Sequence, residues 1–94
     1  MMVVRNIFVA KPGQASKLAA QFKTTADAAK MPNYRVLTDV TGEFNRVILE
    51  YQVDSIGGFE KQMAEYATNE VFKNGLKGYT DLYQTGTREI LQIV

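Results

Sequence analysis

The apolar positions of this chain change period several times, and each change marks an element. Residues 3–10 (VVRNIFVA) are rich in β-branched and aromatic side chains and stop at Lys11-Pro12-Gly13, which predicts a strand, central in its sheet. From Gln14 the spacing becomes helical: Ala15, Leu18, Ala19, Phe22, Ala26 and Ala29 form one stripe, with Lys17, Gln21, Lys23 and Asp27 outside it. Pro32 closes that helix, and Leu18 and Phe22 are expected in the core. Residues 33–40 and 44–53 read as two strands joined by Thr41-Gly42-Glu43, with a glycine where a hairpin often needs positive φ. A two-residue loop at Thr41-Gly42 would pair Val36 with Val47 and Tyr34 with Leu49 on one face, and Leu37 with Arg46 and Arg35 with Ile48 on the other. A slip by one residue would mix the apolar and polar sets, so this register or another of the same parity is expected.

Asp54 or Ser55 then caps a helix whose stripe is Ile56, Phe59, Met63, Tyr66 and Ala67. Gly57 and Gly58 weaken its first turn by about 1 kcal/mol each relative to alanine. Residues 70–76 (EVFKNGL) predict a short further helix, residues 79–86 an irregular connection, and residues 87–94 (TREILQIV) the last strand. The order β-α-β-β-α-β in one domain, residues 1–94, with right-handed crossovers, places both main helices on one face of a four-stranded antiparallel sheet. This is a ferredoxin-like α+β fold. The other sheet face would carry Arg35, Leu37, Asp39, Phe44, Arg46, Ile48 and Glu50, neither polar throughout nor apolar throughout. A mixed face of that kind predicts a second copy packed against it around a partly wet interior.

Composition narrows the chemistry. A chain of 94 residues buries only about 60–65% of its unfolded surface, so a shared core would help it. Eleven basic and ten acidic residues leave a formal charge of +1, with no basic run, so nucleic acid is not an expected partner. The chain has no cysteine and no histidine, which removes the thiolate nucleophile and the commonest metal ligand, and no metal or cofactor is expected. The apolar runs are too short to span a membrane and Met1 leads straight into a strand, so a cytoplasmic protein without signal peptide or membrane contact is expected.

The Lys11-Pro12-Gly13 turn into a helix, the central hairpin, Asn69-Glu70-Val71-Phe72 and the closing Gly86-Thr87-Arg88-Glu89-Ile90-Leu91 together resemble the dimeric α+β barrel proteins. These include the antibiotic-biosynthesis monooxygenase, NIPSNAP and stress-responsive barrel families. The resemblance covers nearly the whole chain and implies a homodimer joined through its helix-free sheet faces, with a pocket between each sheet and its own helices or within the barrel. Glu70-Val71-Phe72-Lys73 is similar to a pattern of the haem-degrading members, but the position of their proximal histidine falls on Leu76 and that of their tryptophan on Tyr66. Asn6 only approximates their first-strand asparagine. Leucine cannot ligate iron, so haem degradation is not expected.

The candidate functional residues are few. Arg46 and Glu50 share one strand face but lie about 13 Å apart, too far to act as one pair. Arg46 is expected to pair diagonally with Asp39, and it is also a candidate ligand contact with Asn6, Tyr79 and Tyr83. Glu50 and Tyr66 are the candidate catalytic groups: Glu50 as a general base raised in pKa by burial inside the barrel, or else bridged to Arg88 or Arg35 of either subunit; Tyr66 as a polar tip on a buried stripe. Three functions remain open. The protein binds a small hydrophobic or aromatic ligand; or it is a cofactor-independent monooxygenase or isomerase acting on an aromatic substrate; or it is a structural subunit of a larger assembly.

Overall fold

In the computed structural model, which describes residues 1–94, the chain runs β1 (Met2–Ala10), α1 (Ala15–Ala28), β2 (Arg35–Thr38), β3 (Arg46–Val53), α2 (Ile56–Thr68), α3 (Glu70–Gly75), a 3-10 turn (Tyr79–Asp81) and β4 (Tyr83–Gln92). The strands form one sheet in the order β2-β3-β1-β4 with every neighbouring pair antiparallel. β1 and β3 take the two central places, as the ferredoxin-like reading requires.

The helices cover one face only. Val4, Val47, Tyr51 and Val53 point from the sheet into the core, where they meet Leu18, Phe22 and Ala26 of α1 and Phe72 of α3. Two clusters result, one around Val4, Tyr51 and Phe72 and one around Leu18, Phe22 and Val47, and Leu49 and Leu76 pack against both. α1 stops before Pro32 is reached. The Met31 N–H bonds to the Ala26 carbonyl at 2.9 Å and the Lys30 N–H to the Asp27 carbonyl at 3.1 Å, with Lys30 left-handed at φ 55°. This is a Schellman ending, and it turns Met31 inward onto the core cluster that contains Ala26. At the start of α2 the Ser55 hydroxyl, rather than Asp54, accepts from the Gly58 N–H at 3.0 Å.

The hairpin differs from its expected register by two residues. Val36 lies opposite Leu49, Leu37 opposite Ile48 and Thr38 opposite Val47. Parity is retained because Val36, Val47 and Leu49 must all face the helices. The connection is longer than Thr41-Gly42: Asp39 stands at its mouth, accepting from the Arg46 backbone N–H at 3.1 Å and from Arg46 Nε at 3.0 Å, while Gly42 takes φ 127° and Asn45 φ 65°. The Asp39–Arg46 ion pair is therefore present, as expected, but it ties off the loop instead of bracing a ladder.

β4 begins at Tyr83, within the segment expected to be irregular. The cause is a bulge: Val9 pairs with Thr85 but Ala10 pairs with Tyr83, leaving Gln84 as the extra residue. Strict alternation from Arg88 and Gly86 would turn Tyr83 to the helix-free face. The bulge turns it to the helix side instead, where its ring lies 4.9 Å from that of Phe8.

Candidate functional site

No residue of α2 is fully buried, and a cavity of about 250 Å³ lies between that helix and the sheet. Its floor is Asn6 and Phe8 of β1 with Leu49 and Tyr51 of β3; its roof is Met63, Tyr66 and Ala67 of α2 with Phe72 of α3; Arg88 of β4 and Tyr79 stand at one side. Twelve of the fifteen lining residues are hydrophobic. A second, more open hollow of about 340 Å³ shares Asn6, Phe8, Tyr79 and Arg88 with the first and adds Tyr83, Gly86 and Thr87. The two form one cleft with an outer vestibule. Gly86 helps to keep the vestibule open, since a Cβ there would fall 3.1 Å from the Phe8 ring.

The polar groups of the cleft come from the ladder itself. Asn6 and Arg88 are direct partners in the β1–β4 register, and Arg88 Nε donates to Asn6 Oδ1. The Arg88 guanidinium also lies over the Phe59 ring of α2, 5.2 Å from its centroid. Tyr66 stacks on Phe72 with centroids 4.1 Å apart, and its hydroxyl accepts from Gln62 Nε2 at 2.8 Å, while Gln62 Oε1 is buried without a partner. The Tyr51 hydroxyl donates to Met63 Sδ at 3.8 Å. Burial raises the pKa of Tyr51, Tyr66 and Tyr79; for Tyr51 the Asn6 amide and the Arg88 charge oppose that rise. All three are neutral phenols at neutral pH. Phe8, Phe22, Tyr79 and Tyr83 form an aromatic wall with centroid separations of 4.9 to 6.3 Å.

Of the residues singled out in the sequence, Asn6, Tyr66 and Tyr79 are brought together in the cleft, and Tyr83 lines its vestibule. Glu50 and Arg46 are not. Both lie on the helix-free face, Arg46 held by Asp39 and Glu50 gripped by Arg5 Nε at 2.7 Å and by Arg35. Burial alone would raise the Glu50 pKa, but the hydrogen bonds and charges of the two arginines outweigh it and the pKa is lowered. The raised-pKa base expected of Glu50 is therefore corrected to an ion-paired carboxylate. Its bridge to Arg35 is one of the expected alternatives; Arg5, not Arg88, is the second partner.

Sequence reasoning missed Arg88 as a cleft residue. A signal was present: Arg88 shares strand parity with the half-buried Ile90, as Asn6 does with Val4 and Phe8, so each is a polar residue on a core-facing row. No cluster of three or more acidic, histidine or cysteine side chains could hold a metal ion, and no helix is long and apolar enough to cross a membrane.

No family model matches the sequence, and no curated protein matches it. Solved structures do match the fold. A NIPSNAP family protein from Agrobacterium tumefaciens superposes with a TM-score of 0.87 at 14% identity, over 99% of this chain and 92% of that one. An uncharacterized NIPSNAP domain protein from Burkholderia xenovorans gives 0.84 at 12% identity, over 100% of this chain and 95% of that one. An antibiotic biosynthesis monooxygenase gives 0.72 at 13% identity, over 100% of this chain and 99% of that one. The fold is the ferredoxin-like α+β fold of the NIPSNAP and antibiotic biosynthesis monooxygenase structures.

Proposed function

We propose that this protein is a homodimer, joined through its helix-free sheet faces, that binds a small hydrophobic or aromatic molecule in the cleft beneath α2. The observation that carries the reading is the cleft itself: a cavity of about 250 Å³ with twelve hydrophobic lining residues and a fixed Asn6–Arg88 pair at its side. This is the composition of a small-ligand site, mostly apolar with a few placed polar groups. Asn6, Tyr66 and Tyr79 are the ligand contacts in this reading, with Tyr83 at the entrance.

Binding without transformation is favoured over oxygenation or isomerisation, because those reactions need a proton acceptor beside the ligand. The cleft lining holds no carboxylate, its tyrosines are held neutral, and Glu50 is committed to two arginines on the other side of the sheet.

Titration with 2-naphthamide followed by amide NMR tests the reading. Saturable shifts confined to α2, α3 and residues 6–8, 49–51, 79–83 and 86–88 are expected, without oxygen uptake. Ala67→Phe, an exposed roof position, should abolish them while leaving the thermal midpoint within a few degrees. Absent or scattered shifts overturn the cleft reading, and ligand-stimulated oxygen uptake replaces binding with oxygenation.

A further inference from the structure

Resting on that reading, we infer that the cleft selects aromatic ligands bearing an anionic oxygen, with Arg88 as the group that anchors the anion. The chain has four arginines, Arg5, Arg35, Arg46 and Arg88. The first three each form an ion pair with a carboxylate, Arg5 with Glu50 and Glu89, Arg35 with Glu50, and Arg46 with Asp39. Arg88 pairs with none, and it is the one arginine that lines the cleft.

Its position is fixed without any counter-charge. Asn6 takes Nε from the β1 side, and the Phe59 ring lies against the guanidinium from the α2 side. The donors on the terminal nitrogens stay available for a planar, two-oxygen acceptor. Because Asn6 is neutral, it orients the cation without cancelling it, and no acid of the chain lines either hollow. A positive charge held in place between an apolar cavity and its mouth favours a ligand whose ring enters the cavity and whose carboxylate remains at the rim. Preorganisation of this kind reduces the ordering cost of binding.

Arg88 is thus a specificity residue: it selects the anion, while the apolar cavity takes up the ring in either case. The test compares 2-naphthoate with its neutral isostere 2-naphthamide by isothermal titration calorimetry, using the intact protein and the Arg88→Met and Arg88→Lys variants. Naphthoate should bind the natural protein at least about tenfold more tightly than naphthamide, as expected for a hydrogen-bonded charge pair. That ratio should shrink as salt is raised. Arg88→Met should bring the ratio to about one, with naphthoate losing more affinity than naphthamide, and Arg88→Lys should keep part of it. Arg88→Met takes the donor from the buried Asn6 amide oxygen and should lower the thermal midpoint by a few degrees without unfolding the protein, whereas Arg88→Lys, which can still donate, should lower it less. Equal affinity for the two compounds in the natural protein, or a preference that survives Arg88→Met, overturns the anion inference and leaves the cleft reading standing. Failure of both compounds to bind overturns the two together.

Discussion

Glu50 belongs to a sheet face that no helix covers, yet only 7% of its side chain is exposed, because Arg5 and Arg35 flank it from the two neighbouring strands. The guanidiniums both cover the carboxylate and hold it ionised, so its native pKa lies below the unfolded value. A depressed carboxylate pKa contributes stability that is complete above the unfolded value of about 4.3 and is lost as pH falls through the lower native value. Glu50→Gln should therefore cost about 1.5–3 kcal/mol at pH 7, read as a lower urea midpoint, and the gap should close towards pH 3. A gap that is the same at both pH values would show that charge plays no part. The contrast with Arg88 explains what could be read from sequence at this scale. Both residues sit in alternating strands and both are ionisable; which one meets a counter-charge depends on the pairing of β1 with its neighbours, about 45 and 82 residues away in the chain for the two bonds that decide it. Residue type and parity were legible, but the partner was not.

At the scale of elements, α3 is placed by a close approach that only glycine permits. A Cβ on Gly75 would fall inside the van der Waals envelope of Thr25 on α1, with Thr25 Cγ2 at 2.7 Å, and Gln21 Nε2 reaches the Gly75 and Lys77 carbonyls at 2.9 Å each. α3 in turn supplies Phe72 to the cleft, so this contact sets the roof. Gly75→Ala should destabilise by about 1–3 kcal/mol, and Thr25→Ala in the same chain should recover part of that loss. A double-mutant cycle in urea should give a coupling of at least about 0.5 kcal/mol; strict additivity would refute the contact. Loss of the α2 cap in Ser55→Ala should cost about 1 kcal/mol, a local effect that leaves the cycle unchanged. Both helices were legible because their stripes are local patterns. The hairpin register was legible only in parity: side-chain alternation distinguishes odd from even, whereas the two-residue offset comes from Asp39 tying back the Arg46 backbone. The early start of β4 was hidden for a similar reason, since a bulge at Gln84 breaks the alternation that marks a strand.

The whole molecule is a thin slab, 35 × 34 × 19 Å, with helices on one side and a bare sheet on the other. Val3, Ile7 and Val9 of β1, Leu37 of β2 and Ile48 of β3 stand half-exposed on that bare side. Ile7, Ile48 and Leu37 lie in one row across three strands. The charges among them are already matched within the chain: Arg5, Arg35 and Arg46 against Glu50, Glu89 and Asp39. A second copy laid against this face meets an apolar row and neutral ion pairs, so no unpaired charge is buried, and burying unpaired charge is the cost that would otherwise oppose association. The four strands, 9, 4, 8 and 10 residues long, offer on the order of 500 Å² in projection, below the ~800 Å² that one partner gives to a standard-size interface and enough for a modest one. Sedimentation equilibrium should thus report twice the 10.5 kDa chain mass, and the thermal midpoint should rise with protein concentration. Ile48→Asp puts an unpaired carboxylate at the centre of the row. It should convert the dimer to monomer, with a lower, concentration-independent midpoint, while the cleft on the far side of the sheet keeps its affinity for 2-naphthoate. A natural protein that sediments as a monomer would overturn the dimer. A variant that loses the cleft together with the dimer would instead show that pairing of the sheets is needed to hold the helices in place.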